Sequence, residues 1–174
     1  MDDSIQVLLS RRSERKFLDK SVEKIKVKTI LDVAMNAPSA MNRQPWFFVV
    51  VDKKEILNEL AKGLPYAKMA KTAPLGIVVC GNMAKTLPGK SKEFWIQDTS
   101  ASTMNILNAC HALKLGAVWT GVHPSKKKKA AVKEILNLPD KLIPLSFIVI
   151  GYVENINQED KNRYKEKAVH YNEF

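Results

Sequence analysis

Two short apolar runs, Leu75-Gly76-Ile77-Val78-Val79-Cys80 and Leu145-Ser146-Phe147-Ile148-Val149-Ile150, constrain the fold of this chain more than any other feature. Neither alternates apolar with polar residues as a strand with one wet face would, so each reads as a strand buried on both sides. The second belongs to a strand expected over Pro144 to Val153, and two shorter strands are expected over Phe47 to Val51 and Ala117 to Val122. Strands of this kind need layers above and below them, and helical patterns supply the material.

Five such patterns are legible. Asp2, Asp3 or Ser4 is placed to cap a short helix with Ile5, Leu8 and Leu9 on one face. A second starts near Ser21, carries Ile25, Ile30, Val33 and Ala34 inward and ends before Pro38, because proline disfavours a helical predecessor. Lys53 to Lys62 reads as a surface helix with Ile56, Leu57 and Leu60 on one side. The longest, Glu93 to Leu115, buries Ala101, Met104, Ile106, Leu107 and Cys110 and is expected to stop at Gly116 as a C-cap. Ser125 caps a fifth that runs to about Leu136. Long helices alternating unevenly with buried strands favour a layered α and β domain, and the pattern leaves strand order open.

At 174 residues and 45% apolar content the chain is expected to form a single domain, residues 1–174, without repeats or low-complexity tracts. The net charge of +10 marks a surface that attracts phosphates, on a cofactor, a nucleic acid or an anionic membrane. No apolar run approaches the roughly 18 to 20 residues of a membrane span, and Met1-Asp2-Asp3 is unlike a signal peptide, so a cytoplasmic protein is the expectation. Cys80 and Cys110 have no C-x-x-C partner and read as buried, reduced thiols.

The chemistry concentrates in two segments near the start. Arg11-Arg12-Ser13-Glu14-Arg15 offers fixed cations and a hydroxyl suited to a terminal phosphate and to electron-rich oxygens. Ala37-Pro38-Ser39-Ala40-Met41-Asn42-Arg43-Gln44-Pro45-Trp46 is a turn crowded with short polar groups that leads straight into a strand, a setting in which backbone and amide groups meet a planar heterocycle. Taken singly, each segment is compatible with a solvated face or an ordinary helix-to-strand connection. Together they fit the phosphate and the ring of a flavin mononucleotide.

Other constellations are weaker. His111, His123 and His170 lack metal-ligand spacing, His111 reads as a satisfied histidine of the long helix, and His123 borders a possible cavity. No dinucleotide-binding glycine fingerprint, P-loop or nucleophile elbow is present. Tyr66, Phe94 and Trp95 are candidates to line a cavity, though core packing is the commoner role of such aromatics. Lys126 to Lys129 read first as a solvated face and otherwise as a dock for nicotinamide phosphates or nucleic acid, for which no recognition signature appears.

The pattern Arg-Ser-x-Arg-x-Phe at Arg12 to Phe17, then Pro-Ser-Ala-x-Asn-x-Gln-Pro-Trp at Pro38 to Trp46, resembles the nitroreductase family. Leu115-Gly116-Ala117-Val118-Trp119-Thr120-Gly121, Ile150-Gly151-Tyr152 and Arg163-Tyr164-Lys165 extend the likeness over nearly the whole chain. The resemblance implies an α+β fold with a central, mixed but mainly antiparallel sheet flanked by helices, and an intertwined homodimer with FMN at the subunit interface. It implies an FMN-dependent oxidoreductase that passes electrons from NADH or NADPH to a nitroaromatic, quinone or similar small acceptor by a ping-pong mechanism, with no catalytic side chain, because the flavin N5 carries the chemistry. By this likeness Arg11, Arg12, Ser13 and Arg15 face the phosphate and the ribityl and pyrimidine side of FMN, and Arg163 and Lys165 complete the phosphate clamp. Pro38, Ser39, Ala40 and Asn42 come from the other subunit, and residues 155–174 pack on it. Thr120 and Gly121 fall near the flavin's reactive edge, and Lys68 near the pyrimidine oxygens. The chain departs from the family at Pro65, where an asparagine is common, and at Arg15, where several members carry lysine. The alternatives are a basic nucleic-acid-binding protein without enzyme activity and a flavin-dependent relative that dehalogenates reductively or modifies the flavin itself.

Overall fold

A computed structural model describes residues 3–173. Four strands, β1 (Trp46–Val51), β2 (Leu75–Asn82), β3 (Gly116–Gly121) and β4 (Leu142–Gly151), form one sheet in the order β1-β2-β4-β3 with every adjacent pair antiparallel. The two uninterrupted apolar runs are the central pair, β2 and β4, which is why neither alternates. Parallel pairing is confined to a single bridge, Ser13 with Ala117, along the outer edge of β3.

Side chains leave the central strands on alternate faces. Leu75, Ile77, Val79, Ile148 and Ile150 meet Ile30, Ala34, Ile106, Leu107 and Cys110, so that α2 (Lys24–Met35) and α4 (Phe94–Ala112) cover one face. Val78, Cys80, Phe147 and Val149 meet Leu57, Leu60 and Val132, so that α3 (Lys54–Gly63) and α5 (Lys126–Ile135) cover the other. Gly76 on β2 pairs with Val149, and the Phe147 ring, two residues along β4, fills the space a Cβ would need.

Three sequence-based expectations require correction. The long helix ends at Ala112, and the left-handed residue that stops it is Lys114, at φ 60°, with the Leu115 N–H donating back to the Cys110 carbonyl at 2.8 Å. Gly116 instead opens β3, where the Val153 and Glu14 side chains crowd the position a Cβ would take. α1 (Asp3–Ser10) docks on α4 through its buried last residue, Ser10, and leaves Ile5 45% and Leu8 49% exposed. On α2 the buried stripe is Ile30 and Ala34, while Ile25 is 69% exposed and Val33 lies outside. Asp2, offered as one cap of α1, lies outside the described residues; Asp3 is the first helical residue rather than a cap. Ser125 caps α5 as expected, accepting the Lys128 N–H at 3.4 Å.

Candidate functional site

After α1 the chain runs beside the edge strand β3, with the Glu14 N–H donating to the Ala117 carbonyl at 3.1 Å. The C-terminal segment returns to the same place. Gln6 Nε2 donates to the Gln158 carbonyl at 2.6 Å, Arg12 Nη2 to the Glu159 carbonyl at 3.1 Å, and the Lys161 N–H to the Leu9 carbonyl at 3.3 Å. Arg12 Nη1 also donates to the Ser10 carbonyl at 2.9 Å, which fixes the guanidinium. Residues far apart in sequence thereby form one group of four cations: Arg11, Arg12, Lys161 and Arg163.

The electrostatics of this group suit an anionic ligand. Nε and Nη1 of Arg11 are buried and have no hydrogen-bond partner. Burial, then the charges of Arg163 and Arg12, hold the Arg11 pKa below its ordinary value. Lys161 is lowered in the same way, by burial first and then by Arg11, Arg12 and Arg163, with Asp160 opposing. Buried donors with nothing to donate to, pressed against like charges, are costly unless a ligand satisfies them. A phosphate, with its oxygens and double negative charge, fits that requirement.

The sequence pattern did not single out Lys161; its one sequence signal is a place two residues before Arg163, and only the return of the tail onto α1 makes it a neighbour of Arg11. Lys165 is exposed beside the turn Glu166–Ala168, whereas the cations that lower the Arg11 and Lys161 pKa values are Arg11, Arg12 and Arg163. Arg15 is exposed and donates to the Ser13 carbonyl at 3.2 Å.

The second wall is held at the other end of α4. Asp98, 6% exposed, accepts the Ala40 N–H at 2.9 Å. Within the turn, Ser39 Oγ accepts the Gln44 N–H at 3.0 Å and Asn42 Oδ1 accepts from Gln44 Nε2 at 2.8 Å. Both side chains have their acceptors engaged internally, so the Ser39 hydroxyl proton and the Asn42 amide protons remain to donate outward. Met41, Asn42 and Gln44 take the left-handed conformation, at φ 51°, 53° and 47°, a strain of about 1 to 2 kcal/mol per residue for side chains such as Met41. Pro38, Ser39 and Ala40 line an open cleft of about 290 Å³ with Phe94, Gln97 and Asp98.

At roughly 1.5 Å per residue, α4 carries His111, beside the cation group, about 20 Å beyond Asp98, so the two walls lie at opposite ends of that helix.

A third corner lies where β3 ends. Thr120 spends its hydroxyl proton on the Phe147 carbonyl at 2.7 Å and so offers its surroundings only backbone. The exposed Gly121 accepts from Lys128 Nζ at 3.1 Å, and the same ammonium lies 5.2 Å from the centre of the exposed Tyr66 ring. One lysine of the Lys126 to Lys129 run is thus turned back toward the candidate site. Lys68 opens the neighbouring turn Lys68–Lys71, exposed. Trp95 is buried against Gly81 and meets the His123 ring edge-on at 5.0 Å, and His123 Nδ1 is buried without a partner. Phe94 is exposed at the cleft, whereas Trp95 is core.

Comparison with known proteins gives a consistent picture. The family model described as the nitroreductase family matches residues 8–64 and 59–152. A Methanothermobacter thermautotrophicus protein, provisionally named an NADH dehydrogenase/NAD(P)H nitroreductase, is 40% identical over 160 residues, which cover 91% of this chain and 82% of that protein. The solved structure of an FMN-dependent nitroreductase from Clostridium difficile R20291 superposes with a TM-score of 0.88 at 32% identity, covering 98% of this chain and 99% of that one. A Desulfovibrio desulfuricans protein, provisionally named a nitroreductase and solved in complex with FMN, has a TM-score of 0.81 at 26% identity, covering 100% and 99% of the two chains.

Proposed function

This chain belongs to the nitroreductase family, and on that footing we propose that it is an FMN-dependent NAD(P)H oxidoreductase whose two active sites form between the subunits of a homodimer. The observation that carries the reading is the half-buried Arg11 within the group of four cations, whose buried Nε and Nη1 have no hydrogen-bond partner among the described residues. Arg11, Arg12, Lys161 and Arg163 would hold the FMN phosphate, with Ser13 and Arg15 beside the ribityl and pyrimidine side. Pro38, Ser39, Ala40 and Asn42 of the second subunit would present the donors of Ser39 and Asn42 to the oxygens and nitrogens of the ring. Thr120 and Gly121 would offer backbone at the reactive edge.

FMN held there would supply the hydride and electron-transfer chemistry, so no protein nucleophile would be needed. The chain's own residues bind and orient. Lys68 and the donors around the ring stabilise negative charge on it, which favours reduction. A site of this kind would take NADH or NADPH and a nitroaromatic, quinone or related acceptor in turn, so initial-rate plots should show the parallel lines of a ping-pong mechanism. The exposed Tyr164, Val169 and Tyr171 of the tail suit packing on the partner subunit. A cytoplasmic site of action agrees with free, buried Cys80 and Cys110, the former with its thiol pKa pushed up to about 12 by burial. Among the described residues no helix is long and apolar enough to cross a membrane.

Purified protein titrated with FMN at micromolar concentration, followed by flavin fluorescence, tests the reading. Folded protein that binds no FMN would sink it.

A further inference from the structure

We propose that Asp98 is a positioning residue for the flavin wall: its buried carboxylate holds the Ala40 N–H and so sets where Ser39 and Asn42 point their free donors. The inference rests on the flavin reading above. Three observations support it independently of that reading.

The carboxylate is buried at the base of the cleft, and its Oδ1 accepts the Ala40 backbone N–H of the turn at 2.9 Å. The turn places three residues in the left-handed region, a conformation that persists only where the surroundings over-determine it. The side-chain hydrogen bonds of Ser39, Asn42 and Gln44 are spent inside the turn, so they lock its shape but not its place on the protein. Asp98 supplies that anchor from the second turn of α4, a helix wedged between the sheet and α2 and therefore rigid. Positioning a ligand-facing group from a fixed helix is more exact than leaving it to a loop.

A carboxylate early in a helix also interacts favourably with the helix dipole, and the two roles separate experimentally. Asp98→Asn keeps the acceptor and loses the charge; Asp98→Leu keeps the volume and loses both. FMN-stripped full-length protein, titrated with FMN, should bind about tenfold or more weakly in Asp98→Leu and within about threefold of the parent in Asp98→Asn. Amide exchange in the flavin-free protein should show the Ala40 N–H protected in the parent and in Asp98→Asn, and unprotected in Asp98→Leu. Should Asp98→Leu fail to fold, Ala40→Pro removes the same hydrogen bond from the surface side and should weaken FMN binding likewise.

Equal weakening in Asp98→Asn and Asp98→Leu would assign the effect to charge and overturn the proposal. Unchanged affinity in Asp98→Leu, with the parent binding FMN normally, would overturn it while leaving the flavin reading intact. A parent protein that binds no FMN would overturn both.

Discussion

Ser10 Oγ and His111 Nε2 lie 2.8 Å apart, joining the last residue of α1 to the last turn of α4 directly behind the cation group. Ser10 gives its hydroxyl proton to the Gln6 carbonyl at 2.7 Å, so the imidazole must be the donor and the proton sits on Nε2. Burial, then Lys114, Arg11, Lys161 and Arg12, lower the His111 pKa from 6.5. The folded protein therefore takes up this proton at lower pH than the unfolded chain does. Stability from this source is complete above about pH 6.5 and is lost as pH falls toward the lowered folded value. Thermal unfolding from about pH 7 to about pH 5 should show a falling midpoint, and His111→Gln should flatten the slope. His123, lowered by burial and Lys129 against Glu93, contributes in the same direction. An identical slope in His111→Gln would remove His111 from the linkage.

Arg11→Ala should separate binding from stability. Losing a charge-assisted phosphate contact should weaken FMN binding by about 1 to 3 kcal/mol. The flavin-free protein should be no less stable than the parent, because the substitution removes a half-buried cation that is repelled by Arg163 and Arg12 and has two nitrogens without partners among the described residues. Calorimetric binding paired with denaturant unfolding reads both signs.

Lys161→Ala and Lys165→Ala distinguish the two ends of the clamp. Lys161 is pressed among the other cations and Lys165 is not, so Lys161→Ala should lose about 1 kcal/mol of FMN affinity and some of its salt dependence. Lys165→Ala should change little. FMN titrations over a salt series decide; a larger loss at Lys165 would return the clamp to the residues suggested by family likeness.

Leu8→Glu addresses assembly. Ile5 and Leu8 leave an apolar stripe open on α1 next to the cation group, and a dimer that closes the site would cover it. The parent should sediment at about twice 19.6 kDa, and Leu8→Glu should move toward the monomer and bind FMN more weakly together. A fully dimeric Leu8→Glu would place the interface elsewhere.

The residues proposed for the two walls are legible in the sequence because they occur in short contiguous motifs. Arg11, Arg12, Pro38, Ser39, Ala40 and Asn42 all lie in such motifs, as local turn chemistry and charge leave a direct imprint on sequence. Asp98 is not legible in this way, since one acid in a long helix is indistinguishable from a surface residue until the chain folds over it. Lys161 was missed for the same reason.

The sequence by itself determined the layered fold, because β2 and β4 are apolar on both faces and only a sheet covered on both sides buries such strands. It also carries the motif chemistry on which the two proposed walls rest. The tertiary structure alone decided that β2 and β4 pair at the centre and that the tail brings Lys161 and Arg163 to Arg11. It also set the two walls about 20 Å apart along α4. Those outcomes depend on contacts between residues remote in sequence, whose energies arise only once packing has brought them together.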